Sequence, residues 1–163
     1  MLTRNFYSCM FVQLTGADFR KGVDCTGAGD AYLFSPGNIS ASMKKAHTNA
    51  MGNSPSYNGV IFGSGTTPAT PSDYMLEAQI TNGISVTNPT TAVANLTDEY
   101  LEYTATYGIY ASLDTTISEI GLFNQVNGRN VMYDRTVLET PIVIPAGQSK
   151  QVTYTIRINY PTT

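Results

Sequence analysis

The sequence predicts a mainly β protein, a single antiparallel β-sandwich of the jelly-roll or immunoglobulin-like kind with a short helical extension at its N-terminus. Composition is the first reason, since 22 Thr and 11 Tyr suit half-buried pleated surfaces, and 14 Gly, 12 Asn and 8 Pro suit turns. Six or seven short apolar stretches then follow one another between turn residues from residue 59 onward. The last of them, Gln151–Tyr160, alternates apolar and polar residues almost without a break.

The first 58 residues differ in pattern from the rest, so we divide the chain into an N-terminal arm, 1–58, and a sandwich domain, 59–163. Apolar residues recur at helical spacing over Leu2–Leu14, which predicts a short helix with Thr3 at its cap. The stretch Ala31–Ser35 predicts a strand. We expect the arm to pack on a neighbouring molecule or on the main domain, because so short a helix is not stable alone.

Within the sandwich domain, turn residues separate the predicted strands. Val60–Phe62 is a short buried strand, and Asn82-Gly83 and Asn127-Gly128 each predict a hairpin between the apolar runs beside them. Ser72–Glu77 is predicted as one helical turn because a proline precedes it at a favourable position. The C-terminal strand is expected at the centre of the sandwich, with Ile156 as its most buried residue. The other predicted strands are Thr97–Tyr107, Thr116–Asn124 and Asn130–Leu138.

Charge and cysteine usage exclude several classes of protein. A net charge of -3 and a pI near 4.9 leave no basic surface for a phosphate backbone, so no nucleic-acid partner is expected. No apolar stretch approaches the roughly 20 residues that cross a bilayer, so no membrane partner is expected. No signal peptide is recognisable, which favours synthesis in a cytoplasm. With one His in the chain, Cys9 and Cys25 complete neither a structural zinc site nor a disulfide framework, and we expect free thiols.

The segment Asp24–Ala31 (DCTGAGDA) carries the pattern most suggestive of catalysis. It resembles the GAGD signature of ribokinase-type sugar kinases, in which glycine amides hold an anion and the aspartate, here Asp30, removes a proton. A helix follows the signature in those longer proteins, whereas AYLFSPG follows here and predicts a strand and a turn. We therefore interpret the segment as a glycine-rich turn. Gly63–Thr67 lacks the lysine of a phosphate loop and is interpreted as an ordinary loop.

No other residues form a convincing catalytic or ligand set. His47 lies in a stretch of loop composition, 38–57, without a nucleophile or carboxylate nearby, so we expect a solvated side chain. Asp98, Glu99 and Glu102 cluster at the start of one strand, where a solvated edge is a simpler interpretation than a cation site or a glycosidase pair. We therefore assign no catalytic, cofactor-binding or metal-binding residue, and we predict that the protein is not an enzyme.

Tyrosines are frequent in the sandwich domain. They suit the core of a sandwich or a subunit interface, with a sugar-binding platform as the alternative. The seven concerned are Tyr100, Tyr103, Tyr107, Tyr110, Tyr133, Tyr154 and Tyr160.

Two stretches of the sandwich domain resemble small structural proteins of tailed bacteriophages. Residues 62–78, FGSGTTPATPSDYMLEA, resemble their G-x-G-T-T-x-P-x-P-x-D-x-x-L box. Residues 117–158 are similar to their C-terminal half, in which an E-x-G-L-F-N strand, a small turn and an L-x-R-x-x-x-x-P-I strand precede a final strand of alternating Thr and aliphatic residues. Between the two, Tyr103–Tyr107 (YTATY) resembles the family's x-F-x-A-x-F strand.

This resemblance implies a virion structural protein that works by binding. The first expectation is a capsid decoration or cement protein that contacts the major capsid protein and copies of itself as a homo-oligomer, exposed on the particle. The alternative is a tail or baseplate accessory module that contacts other tail proteins and binds a host surface glycan through its tyrosines.

Overall fold

A computed structural model of the chain describes residues 1–15, 20–34, 59–87, 91–97, 99–126 and 128–159. These residues form one helix and nine strands, so the prediction of a mainly β protein with a short N-terminal helix is confirmed. The elements are α1 Arg4–Thr15, β1 Arg20–Val23, β2 Gly29–Phe34, β3 Gly59–Gly63, β4 Ile84–Val86, β5 Thr91–Leu96, β6 Tyr100–Ala111, β7 Thr115–Val126, β8 Arg129–Ile144 and β9 Ser149–Asn159.

Two antiparallel sheets form the sandwich. The first sheet has the order β3–β7–β8. In the second sheet, β9 pairs with almost the whole of β6, while β4 and β5 pair with different parts of the same strand. Because one edge of a strand accepts one partner at each residue, β4 and β5 lie end to end on one side of β6 and β9 lies on the other. The expectation that the C-terminal strand is central is therefore wrong, since β6 holds that place.

The main core lies between the two sheets, where alternate residues of each strand point inward. On β6 the inward residues Ala105, Tyr107 and Ile109 are at most 1% exposed. On β9, Val152 and Tyr154 are buried, whereas Ile156 is only partly buried near the end of the strand. Alternation of β9 is thus confirmed, but its most buried positions lie earlier than the sequence predicted.

The helix α1 packs into this same core. Phe6, Cys9 and Val12 belong to the main cluster of buried apolar side chains. Thr3 does not cap the helix with its side chain, because its hydroxyl donates to the carbonyl oxygens of Met132 and Tyr133, at 2.8 and 3.1 Å. The helix therefore orders against the chain's own sandwich. The boundary at residue 58 stays a prediction, because residues 35–58 lie outside those described.

Two local predictions are wrong. Ser72–Glu77 is not helical; a turn forms instead, in which the carboxylate of Asp73 accepts hydrogen bonds from the amide and hydroxyl of Thr70, at 2.9 and 2.8 Å. Asn82-Gly83 does not close a hairpin, because β4 pairs with β6 and not with the residues before the turn. Gly83 still has the left-handed φ of 82° that its turn requires.

The hairpin predicted at residues 127–128 is confirmed. Val126 of β7 pairs with Arg129 of β8, and Gly128 has a φ of 75°. The pairing of β7 with β8 shifts register between Leu122 and Phe123. Leu122 pairs with Asp134 and Phe123 with Met132, so Tyr133 of β8 is an extra residue between the two pairs.

Candidate functional site

A long irregular segment, residues 64–80, crosses the face of the first sheet that points away from the main core, which we call the outer face. Apolar contact holds part of this segment in place: Leu76 packs with Ile61, Phe123 and Met132 in a second buried cluster. The rest of the segment is held by charge. Three carboxylates and one guanidinium, those of Asp73, Glu77, Glu119 and Arg135, form a connected group that we call the anchor network.

Glu119 is the buried centre of the anchor network. Its residue is 0% exposed, and its carboxylate accepts three backbone hydrogen bonds from the irregular segment. The donors are the amides of Gly65 at 3.1 Å, Glu77 at 3.2 Å and Ala78 at 2.7 Å. The carboxylate thus satisfies amides that have no strand partner, which is how a buried segment without regular structure keeps its hydrogen bonds.

Arg135 carries the balancing charge. In the pairing of β7 with β8, Arg135 lies opposite Gly121, and Glu119 lies opposite Val137. The Arg135 side chain therefore reaches Glu119 diagonally across the two strands. Its Nε donates to Glu119 Oε2 and its Nη1 to Asp73 Oδ2, both at 2.8 Å. Its Nη2 donates to the carbonyl oxygen of Thr67 at 3.2 Å. With its side chain only 4% exposed, the guanidinium joins β7, β8 and both halves of the irregular segment.

Glu77 closes the loop that Arg135 touches. Its Oε2 accepts from the amides of Thr66 and Thr67, each at 2.8 Å, and its Oε1 accepts from the Thr67 hydroxyl at 2.7 Å. The same Oε2 lies 3.5 Å from Arg135 Nη2. The Glu77 carboxylate therefore holds the GSGTTP stretch ten residues before it. The interpretation of Gly63–Thr67 as a loop is confirmed for Ser64–Thr67, while Gly63 is the last residue of β3.

Two glycines are required where the loop meets Glu119. A Cβ atom on Gly65 would lie 2.6 Å from Glu119 Oε1 and 2.6 Å from Glu77 Cβ. A Cβ atom on Gly63 would lie 2.6 Å from Glu119 Cγ and 2.8 Å from the carbonyl oxygen of Ala78. Carbon atoms do not approach so closely, so any side chain at either position displaces the carboxylate.

The surroundings of Asp73, Glu77 and Arg135 favour the ionised forms of these three groups. Burial alone would raise the pKa of Asp73, but hydrogen bonds from Thr70 and Arg135 hold this pKa below its ordinary value. Hydrogen bonds from the hydroxyl and amide of Thr67 likewise lower the pKa of Glu77. Burial alone would lower the pKa of Arg135, yet its bonds to Asp73 and Glu119 raise it. Asp73, Glu77 and Arg135 are therefore charged at neutral pH.

This arrangement is suited to holding structure. Each arm of the guanidinium of Arg135 donates within the protein, and the carboxylates accept from it and from backbone amides. Beside it lies an open depression of about 300 Å³ lined by Tyr74, Met75 and Asp73. Within the described residues, no three His, Cys, Asp or Glu side chains are placed to hold a metal ion.

Residues 24–28 form the loop of the β1–β2 hairpin, as interpreted from the sequence, whereas Gly29–Ala31 belong to β2, in which Asp30 pairs with Gly22. Val23 pairs with Gly29, and Gly27 has a left-handed φ of 82°. Asp24 Oδ1 accepts from the amide and hydroxyl of Thr26, at 2.9 and 2.5 Å, and its Oδ2 accepts from Arg129 Nη1 at 2.8 Å. The turn thus occupies the Asp24 carboxylate, and it also occupies the Gly27 amide, which donates to the Asp24 carbonyl oxygen at 2.9 Å.

The remaining candidates do not assemble. Glu102 faces Arg157 on the exposed side of the second sheet, with Arg157 Nη2 2.6 Å from Glu102 Oε2. Glu99 is exposed, and Asp98 and His47 lie outside the described residues. Both cysteines carry thiols, not a disulfide, and burial raises the pKa of Cys9 to about 11 and that of Cys25 to about 12.

The tyrosines divide between core and surface. Tyr107, Tyr133 and Tyr154 are buried, which confirms the core interpretation for these three. Tyr100 lies beneath Arg157, whose guanidinium carbon is 4.1 Å from the ring centroid, and Tyr110 is 46% exposed. Tyr103 is partly buried against the core, and Tyr160 lies outside the described residues.

The anchor residues lie within the motifs of the sandwich domain, but no motif marks them as a site. Glu119 lies in the run ISEIGLF and Arg135 in VMYDRTV, where charges interrupt strands that are otherwise apolar. A charge in a buried strand requires a partner, so this pattern was the available signal. What the sequence did not contain was the pairing, because Asp73, Glu119 and Arg135 come from three separate stretches.

Comparison with known proteins adds no identification: no family model, no curated protein and no solved structure matches the chain. The single described helix, α1, is too short to span a membrane.

Proposed function

We propose that the protein is a non-enzymatic structural protein of a tailed-phage virion, which binds the capsid surface as a decoration or cement protein. On this proposal it contacts the major capsid protein and further copies of itself, and it is displayed on the particle after synthesis in the host cytoplasm.

One observation supports the proposal most. The two stretches that resemble phage structural proteins, 62–78 and 117–158, are joined by the anchor network: Asp73 and Glu77 come from the first, and Glu119 and Arg135 from the second. In a catalytic motif, the reactive side chains face a cleft that a substrate can enter. Here the motif residues face one another and hold a loop to a sheet, which is the role expected in a protein selected for a rigid surface.

The fold supports the same proposal. A rigid sandwich with small, mostly uncharged surface side chains suits dense packing on a lattice, because closely spaced copies with large charges repel one another. Weak contacts by each copy become stable when many copies bind the same particle.

The copy number of the protein in purified particles tests the proposal. Quantitative mass spectrometry against the major capsid protein is expected to give hundreds of copies per particle. A dozen copies or fewer would favour the alternative, a tail or baseplate accessory protein that binds a host glycan. Absence from washed, infectious particles would overturn both.

A variant tests the non-enzymatic part. Asp30→Ala removes the aspartate that the sugar-kinase resemblance would use as a base, and it is expected to leave incorporation into particles unchanged. The matched variant Asp24→Ala opens the hairpin turn and serves as a folding control. The proposal would be contradicted if the wild-type protein catalysed a nucleotide-dependent phosphoryl transfer and a folded Asp30→Ala variant did so about tenfold more slowly.

A further inference from the structure

In the part of the chain that the structure describes, β9 has a strand partner on only one of its two edges. It pairs with β6 from Ser149 to Asn159 in one continuous register without a bulge, and no strand of the described residues lies on its other side. The first sheet differs, because both of its edges are covered. Thr3 donates to the carbonyl oxygen of Tyr133 on β8 at 2.9 Å, and Ile80 donates to that of Phe62 on β3 at 3.0 Å.

The register shows which backbone groups of β9 point to the open edge. Ala111 N donates to Gln148 O at 2.9 Å, and this pair continues the β6–β9 register, so it is a hydrogen-bonded pair. Hydrogen-bonded pairs recur at every second residue, which directs the N–H and C=O groups of even-numbered β9 residues toward β6. Those of the odd-numbered residues point outward. They are Ser149, Gln151, Thr153, Thr155, Arg157 and Asn159.

We propose that this edge binds the same edge of a second copy of the chain. The two β9 strands pair antiparallel around a twofold axis at Tyr154, which joins the second sheets of both copies into one continuous sheet. With the axis at Tyr154, every residue of β9 from Ser149 to Asn159 has a partner on β9 of the second copy. This axis also places outward-pointing residues opposite one another, as backbone hydrogen bonding requires, so that Thr153 faces Thr155 of the second copy.

The side chains favour a second copy as the occupant. On the exposed face the pairing extends an existing threonine ladder, in which the hydroxyl of Thr153 lies 3.1 Å from Thr106 and that of Thr155 lies 3.1 Å from Thr104. Threonines opposite one another are favourable cross-strand pairs. On the inner face, apolar Val152 faces Ile156 of the second copy.

Charge does not oppose the pairing. The two basic residues of β9, Lys150 and Arg157, lie at unequal distances from Tyr154, so each faces an uncharged residue of the second copy. Arg157 is neutralised by Glu102, with Nε 2.8 Å from Oε2. β9 also carries no proline and no bulge, two of the devices that keep an exposed edge from pairing; of a third device, charged side chains, it has only Lys150 and Arg157.

A proline variant tests the proposal on the purified protein. Thr153→Pro removes one outward N–H and leaves the hydrogen bonds to β6 in place, because proline is tolerated on an edge strand where its nitrogen faces solvent. The control, Thr153→Val, removes the hydroxyl but keeps the N–H. We expect sedimentation equilibrium to give about twice the 17.6 kDa chain mass for wild type and Thr153→Val. For Thr153→Pro we expect a dissociation constant raised about tenfold or more. A monomeric wild-type protein, or a dimer that a folded Thr153→Pro variant keeps, would overturn the proposal.

Amide hydrogen exchange gives a second readout that needs no variant. At high protein concentration we expect the amides of Gln151, Thr153 and Thr155 to be protected, and on dilution to exchange quickly while those of Val152 and Tyr154 stay protected. The proposal is contradicted if the outward amides are equally protected at high and low protein concentration. It is also contradicted if these amides are unprotected at every concentration. The meaning of this interface for a particle rests on the proposed function, but its test does not. A dimer absent from particles refutes the function alone, and a monomer present on particles refutes the interface alone.

Discussion

The two sheets of the sandwich each contain one arginine–glutamate pair, and the two pairs differ mainly in burial. In both, arginine Nε donates to glutamate Oε2 at 2.8 Å. In the first sheet the side chains of Arg135 and Glu119 are 4% and 0% exposed; in the second sheet those of Arg157 and Glu102 are 50% and 14% exposed. We therefore expect the second pair to contribute less to the unfolding free energy than the first, because water screens its charges and competes for its hydrogen bonds.

This difference separates the tasks of the two sheets. In the first sheet, Glu119 and Arg135 are buried and hold 64–80 to the outer face, and neighbouring segments cover both edges of the sheet. The second sheet turns uncharged threonines to solvent and leaves the β9 edge open. The first sheet therefore holds the irregular segment in place, and the second sheet contains the β9 edge at which we propose that a second copy pairs.

Removing the arginine of each pair is expected to give the largest contrast. Arg135→Met leaves the buried carboxylate of Glu119 without its cation, and breaking a buried pair in this way costs about 3–5 kcal/mol of unfolding free energy. Arg157→Met removes an exposed pair and is expected to cost about 1 kcal/mol or less. Urea denaturation of the two variants measures both values. Equal losses would mean that burial does not separate the two sheets.

A side chain placed beneath Glu119 tests the close packing of the anchor network. Gly65→Ala puts a Cβ atom 2.6 Å from Glu119 Oε1, and relief of such a clash costs about 1–3 kcal/mol. The neighbouring exposed Ser64→Ala is expected to change the unfolding free energy by about 0.5 kcal/mol or less. Thermal unfolding compares them, and a Gly65→Ala protein as stable as Ser64→Ala would show that the loop is not held against Glu119.

A tyrosine hydroxyl joins the two sheets through the core. Tyr154 of β9 donates to Asp134 Oδ2 of β8 at 2.6 Å, and both residues are buried. Tyr154→Phe leaves the carboxylate with one donor fewer and is expected to cost about 1–3 kcal/mol. Tyr110→Phe, on an exposed ring, serves as the control and should cost almost nothing. Denaturant midpoints measure both losses. Equal losses for Tyr154→Phe and Tyr110→Phe would mean that the hydrogen bond between Tyr154 and Asp134 does not stabilise the protein.

Acid should weaken the first sheet gradually, the smallest of these effects. The folded-state pKa values of Asp73 and Glu77 lie below their unfolded values. The stability that these two carboxylates contribute is therefore complete above their unfolded pKa of about 4 and is lost as the pH falls through the folded pKa. We expect the urea midpoint to decrease from pH 5 to pH 3, and to decrease less in Asp73→Asn. An identical pH profile for wild type and Asp73→Asn would contradict the role assigned to this carboxylate.

Much of the fold was predictable because its signals are local. Alternation along β9 and the turn residues at 127–128 correctly gave a strand and a hairpin, since each depends on neighbouring residues. The helical turn predicted at 72–77 failed because Asp73 binds Arg135, a residue 62 positions later, and that contact outweighs a weak local preference. The hairpin predicted at 82–83 failed for a similar reason, since the partner of β4 is the distant strand β6.

The anchor network was predictable only in part. Charges within apolar strands indicated that Glu119 and Arg135 are unusual, but their geometry depends on the diagonal register of β7 against β8 and on a loop from another part of the chain. Register of this kind arises from the packing of the whole sheet and leaves no signature in a single stretch of sequence.

Amide hydrogen exchange at two alanines tests the central claim most directly, that a buried carboxylate makes an irregular segment as stable as a strand. The amide of Ala78 donates to Glu119 Oε1 at 2.7 Å, and the amide of Ala146 donates to the exposed Asp114 Oδ1 at 2.8 Å. Both lie outside strands and have bonds of nearly equal length. We predict that Ala78 exchanges only through global unfolding, with the protection of the core amides of β7, whereas Ala146 exchanges through local opening. Comparable, low protection at the two alanines would contradict the account.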